Sequence, residues 1–223
     1  MASFPLTQAR RAGLPAQRAG ATLAEVFPAP GAEAAAAGFV MAQLGPGSGA
    51  VLWIQDRQAR RETGRPFLAG FHRPLMLLHL SRPLDVMIAA EEGAQCRALA
   101  AVVAEIRGDP PAVDFTAMKR LALRAEAAGV PCWLIRQAAT ANLSAARDRW
   151  RISSLPSAAH PDDPRAPGAP RWRAELFRSR DRRPGDWVVC HDPGTADRLD
   201  LVGAVPDGPL AEDAGTVGQR AAR

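Results

Sequence analysis

Lysine is almost absent from this chain: of 28 basic residues only Lys119 is a lysine, and every other one is arginine. A phosphate loop of the GxxxxGK[ST] type is thereby excluded, because Lys119 is followed by Arg120, stands in a helix-like stretch and has no glycine run upstream. Tyrosine is missing altogether. The three cysteines, Cys96, Cys132 and Cys190, are odd in number, far apart and never in a C-x-x-C spacing, which excludes a disulfide framework and a thiolate zinc site and makes them candidate buried small hydrophobes. His72, His79, His160 and His191 have no metal-ligand spacing, and no G-x-S-x-G elbow occurs. Neither a metal nor a cofactor is expected. Nowhere do about 18 apolar residues stand together, and residues 1–20 carry Arg10, Arg11 and Arg18 without the apolar run of a signal peptide, so a cytoplasmic chain with no membrane segment is expected.

What the chain does have is 223 residues that are 47% hydrophobic and 23% charged, enough for one globular core. Short apolar runs alternate with alanine-rich or amphipathic stretches, the pattern of a mostly parallel α/β sheet with helices on both faces. Strands are expected at 23–27, 50–54, 75–80, 100–106 and 131–136, and helices over 32–43, 85–98 and 114–128. The last helix has Asp114 to cap its start and Gly129 and Pro131 to stop it. After about residue 137 the pattern changes: 160–170 is a proline-rich loop, and 172–180, 186–190 and 198–203 read as strands of an antiparallel extension at the sheet edge, with a turn at 191–197. The expected organisation is a flexible arm over 1–22, a single α/β domain over 23–203 whose part 137–203 is an Arg/Trp-rich extension, and a disordered tail over 204–223.

Residues 25–40, EVFPAPGAEAAAAGFV, run from strand through a glycine turn into helix, which is where a RecA-like nucleotide-binding protein carries its phosphate loop. Such a loop needs glycines that free successive N–H groups, a lysine for the phosphate charge and a hydroxyl for magnesium. Here Glu33 stands at the preceding glycine position, Ala34 at the lysine and Ala35 at the hydroxyl, so Gly31, Glu33, Ala34 and Ala35 are the positions of a degenerate loop. Replacing a cation beside a triphosphate by a carboxylate nearby costs several kcal/mol, since close charges interact by roughly 4 kcal/mol even at a screened site. An acid at a strand end, Glu105 or Asp56, would handle magnesium in a working site; without lysine and hydroxyl partners each reads more simply as a capping or salt-bridging residue. The G-P-G-S-G run at 45–49 precedes a strand rather than opening a helix and reads as a turn.

Residues 147–183 hold ten arginines against five acids, a net of +5 that equals the charge of the whole chain. With Trp150, Trp172 and Trp187 interleaved, Arg149, Arg151, Arg171, Arg173, Arg178, Arg180, Arg182 and Arg183 are candidates for contact with a protein partner or with DNA, while the plain alternative is a solvated strand face with the tryptophans in the core.

The order and spacing of several elements resemble the ImuA family: Asp85–Gly93 (DVMIAAEEG), Ala101–Ile106 (AVVAEI), Lys119–Glu126 (KRLALRAE), Arg149–Ile152 (RWRI), Pro170–Arg178 (PRWRAELFR) and Arg183–Trp187 (RPGDW). That resemblance implies a RecA-like fold in a non-catalytic accessory factor of SOS-inducible translesion synthesis. It also implies partners: an ImuB-like Y-family polymerase homologue, an error-prone polymerase III alpha subunit and RecA, with weak non-specific DNA contact and location near the nucleoid during damage. Two other readings stay open: a SulA-like cell-division inhibitor that binds the tubulin-like division protein, and a weak RecA-like DNA-dependent ATPase.

Overall fold

Each apolar run becomes a strand, and most of the stretches between them become helices. The computed structural model of the chain describes residues 22–44, 48–66, 73–163, 165–191 and 199–204. In chain order the elements are β1 (Leu23–Pro28), α1 (Glu33–Gln43), β2 (Ala50–Asp56), α2 (Arg57–Thr63), β3 (Leu75–Leu80), α3 (Pro83–Gly93), β4 (Leu99–Arg107), α4 (Phe115–Ala128), β5 (Cys132–Gln137), β6 (Asp148–Leu155), β7 (Arg171–Ser179), β8 (Gly185–His191) and β9 (Leu199–Ala204). They form one nine-stranded sheet in the order β3-β2-β4-β5-β1-β6-β7-β8-β9. Pairing is parallel from β3 through β6 and antiparallel from β6 to β9. This is a RecA-like mostly parallel α/β sheet with an antiparallel edge extension.

Alternation along the strands sorts side chains between two cores. Ala24, Val26, Val103, Trp133, Ile135, Trp150 and Ile152 meet α1 through Ala36, Phe39 and Val40. Leu23, Val102, Ala104, Ile106, Cys132 and Leu134 meet α3 and α4 through Val86, Met87, Ala90, Met118, Leu121 and Ala125. The ends of α4 follow their residue types: the Asp114 carboxylate accepts from Ala117 N at 2.7 Å, and Gly129 takes the left-handed conformation (φ 76°) that closes the last turn. Gly38 lets α1 approach the sheet, since a Cβ there would stand 2.9 Å from the Trp172 ring.

Four expectations change. Helix α3 ends at Gly93 rather than 98, because residues beyond it turn back to feed β4, with Cys96 N donating to Gly93 O and Leu99 N to Cys96 O, each at 3.0 Å. Helix α2 was not expected: only Ala59 of its seven residues is buried, so it has no apolar stripe, and its visible signal is Asp56 capping Ala59 N at 2.5 Å. Strand β6 was not expected: it pairs parallel with β1, and the antiparallel extension begins at β7, where the strand expected at 172–180 lies. Cys132 is buried as expected, whereas Cys96 is exposed in the turn before β4 and Cys190 is half-buried. Apart from Thr22 and Ala204, the expected arm over 1–22 and tail over 204–223 lie outside the described residues, as do His72, most of the turn at 191–197 and residues 45–47 of the glycine turn.

Candidate functional site

The turn expected to be a degenerate phosphate loop sits at the carboxyl end of β1, in the middle of the sheet, where open α/β sheets bind ligands. Ala29 N is tied to Ile152 O at 2.8 Å, Ala32 N closes a turn on Ala29 O at 2.9 Å, and Gly31 takes φ 79°. Helix α1 then starts from Ala32 with no side-chain cap. Ala35 points into the core, Ala34 faces solvent, and Glu33 lies half-buried in the first turn, where its charge suits the helix dipole and repels a phosphate.

On the α1 face of the same sheet end, Glu105 is 4% exposed and receives three donors. Trp53 Nε1 donates to Oε1 at 2.5 Å, and Gln137 Nε2 and Gln55 Nε2 donate to Oε2 at 2.7 and 3.3 Å. The end of α2 closes over this cluster, with Gln55 Nε2 also donating to Gly64 O at 2.9 Å and Gln137 Nε2 to Thr63 Oγ1 at 3.2 Å. Burial pushes the Glu105 carboxyl up to about 7, against the three hydrogen bonds that favour its charge and with a smaller push from the Asp56 carboxylate. Asp56 has the capping role expected of it and also accepts from Arg107 N at 3.3 Å. Among the described residues Glu105 neither caps nor forms a salt bridge: its partners there are an indole and two amides. Gln55 and Gln137 escaped sequence reading; their one signal is a polar residue at the inward position ending an apolar strand. Among the described residues no group of three or more His, Cys, Asp or Glu side chains could hold a metal ion.

On the opposite face β1 carries a second buried acid. Glu25 is fully buried between Arg149 Nε at 2.6 Å and Arg136 Nη1 at 3.3 Å. Arg136 continues to Asp109 Oδ1 at 2.7 Å, and both guanidiniums lie over the Phe27 ring, at 5.9 Å for Arg136 and 5.2 Å for Arg149. Partners on both sides make a fully buried carboxylate tolerable.

The Arg/Trp-rich segment therefore divides. Arg149 is buried against Glu25, while Trp150 and Trp172 are 1% and 7% exposed within the core, so these three cannot be surface contacts. Trp187 is half-buried with its ring 6.0 Å from that of Trp150. The remaining candidates reach the surface. Arg151 pairs with Glu175 at 3.1 Å, Arg173 Nε donates to Asp186 at 2.6 Å, and Arg182 meets Asp148 at 3.2 Å. Arg178, Arg180 and Arg183 are exposed, and Arg171 is half-buried.

No family model matches the sequence. Two curated relatives do, both named Protein ImuA and both from Caulobacter vibrioides, strains NA1000 / CB15N and ATCC 19089 / CIP 103742 / CB 15. Each is 35% identical over 154 residues, covering 63% of this chain and 60% of the relative. Over those 154 residues the chain is similar to the ImuA proteins. It thus spans about 60% of the length of the ImuA proteins it matches. Among the described residues no helix is long and apolar enough to cross a membrane.

Proposed function

We propose that this chain belongs to the ImuA family and is a non-catalytic RecA-like accessory factor of damage-inducible, error-prone DNA repair. It works by protein–protein assembly with an ImuB-like Y-family polymerase homologue and an error-prone polymerase III alpha subunit, with RecA as a further partner, in the cytoplasm near the nucleoid. The observation that carries the non-catalytic part is the turn between β1 and α1, which offers a solvent-facing methyl group at Ala34 and a carboxylate at Glu33 where a triphosphate needs a cation. The similarity to ImuA proteins supports the assignment to mutagenesis. The surface arginines of β6 and β7 support assembly, since arginine is favoured at protein interfaces.

The reading is tested by size-exclusion co-elution of the purified chain with the ImuB-like protein, the alpha subunit and RecA, with and without DNA and nucleotide. Capture without nucleotide, weakened by joint Arg171→Ala and Arg173→Ala substitution, is the expected result. Co-elution with none of the three under any condition sinks the assembly reading, and ATP hydrolysis that disappears on changing residues 30–36 sinks the non-catalytic one.

A further inference from the structure

Beside the turn between β1 and α1, on the face of the sheet away from α1, a cleft of about 530 Å³ opens between the ends of β1 and β5 and the faces of β6 and β7. Its volume is within the roughly 300–1,000 Å³ of small-ligand sites. Strand register builds its base: Arg151 lies opposite Glu175, and Ser153 opposite Arg173, so the two arginines stand on one diagonal of a square. Diagonal neighbours across antiparallel strands are about 7–8 Å apart, close enough for two guanidiniums to share one tetrahedral oxyanion.

Donors dominate this square. Arg151 uses only Nη1 to reach Glu175 and lays its guanidinium over the Phe177 ring at 4.3 Å, so Nε and Nη2 have no hydrogen-bonding partner among the described residues. Arg173 holds Asp186 through Nε and Nη2, leaving Nη1. The hydroxyl of Ser153 has no hydrogen bond among the described residues either, and it stands between them.

The far wall is held in place. Asp109 accepts from Thr140 N at 2.9 Å and is itself gripped by Arg136, which ends on the buried Glu25. The chain enters this wall through Ala138, a non-glycine residue at φ 47°. Such strain persists only where the surroundings over-determine the backbone, and it concentrates at ligand sites. It brings Thr140 to the cleft across from Ser153.

We propose that this cleft binds a phosphate ester of mononucleotide size, with the phosphate between Arg151 and Arg173 and hydrogen bonds from Ser153 and Thr140. Anion recognition in this fold then lies on the opposite side of β1 from the turn before α1. A free nucleotide and a backbone phosphate of single-stranded DNA present the same chemistry, and the test separates them.

The experiment is calorimetric titration of the full chain with inorganic phosphate, a nucleoside monophosphate, a short single-stranded oligonucleotide and an acidic peptide, alongside amide NMR shifts. Saturable binding of the monophosphate or the oligonucleotide is expected, with shifts centred on Thr140 and Ser153; the tighter of the two names the source. Arg151→Gln and Arg173→Gln each weaken it at least about tenfold, Ser153→Ala weakens it less, and Glu175→Gln strengthens it by removing a competing carboxylate. Glu33→Ala leaves it unchanged. Absence of phosphate binding at millimolar concentration overturns the proposal, as do binding of the acidic peptide alone and binding that responds to Glu33→Ala but not to Arg151→Gln. Unaltered amide spectra away from each substitution show that a variant remains folded, and the gain with Glu175→Gln cannot be produced by unfolding.

Discussion

The two halves of the sheet handle charge in opposite ways. From β2 to β1 the strands have helices on both faces, and the acids buried on them, Glu25, Asp56 and Glu105, are each met by partners. From β6 to β8 only one face is apolar: Trp150, Ile152, Trp172, Ala174, Leu176 and Val189 join the core under α1, and their alternate neighbours form the ion-pair ladder Arg151–Glu175 and Arg173–Asp186. Covered on both faces, a strand must be apolar nearly throughout; covered on one, it can alternate and place charge where a ligand or partner meets it. Arg149 and Arg151 show the contrast within a single strand. Arg149 lies under the edge of the core and is locked to Glu25, while Arg151, two residues on along the same face, has its side chain 52% exposed.

The sharpest way to break the contrast is to remove the acid on the enclosed side. Glu25→Gln leaves Arg149 buried without a counter-charge and Arg136 with Asp109 alone, and is expected to cost about 3–5 kcal/mol, measured by urea unfolding; a loss well below that would mean that the Arg149 guanidinium reaches solvent. Glu105 gives the next largest effect, through pH. Its carboxyl titrates near 4.5 when unfolded but at about 7 in the fold, so the folded chain holds the extra proton between those values. Its contribution is fully present below the unfolded value and is lost as pH rises through about 7, an effect on the order of 3 kcal/mol. Glu105→Gln should flatten that part of the stability profile, and a variant as pH-sensitive as the parent would show another group to be responsible.

A smaller loss tests the packing that joins the halves. Gly38→Ala would improve helix propensity by about 1 kcal/mol but forces a methyl into the Trp172 ring, so a net loss of about 1–2 kcal/mol in thermal or urea unfolding is expected. Unchanged or increased stability would mean that α1 rides higher on β7. The least effect belongs to the open ladder: Arg151→Ala should change unfolding free energy by less than about 1 kcal/mol, because exposed pairs contribute little. A larger loss would make the ladder a structural device rather than a surface free for recognition.

The strand positions through β5 were legible because burial on both faces leaves continuous apolar runs such as CWLI and AAVVAEI, and α4 was legible through its caps. Helix α2 was not, since R-Q-A-R-R-E-T has no stripe to betray it. Strand β6 offered a period-two signal in Arg149–Ile152, but its partner was set by a contact across the middle of the sheet. At the candidate site, the missing lysine could be read from the sequence, as could the acids at strand ends. The glutamines that enclose Glu105, and the fate of each tryptophan, could not.

The sequence by itself determined that the turn before α1 carries neither a lysine nor a hydroxyl, because that depends on residue types over a few consecutive positions. It also determined the alternation that gives β6 and β7 one apolar and one charged face. Only the tertiary structure decided which arginines are structural and which are available. Arg149 meets Glu25 from 124 positions away, and Arg173 stands diagonal to Arg151 by antiparallel register. An ion pair's place in the core or in the open is a property of strand order and helix cover, and neither is written in the neighbours of an arginine along the chain.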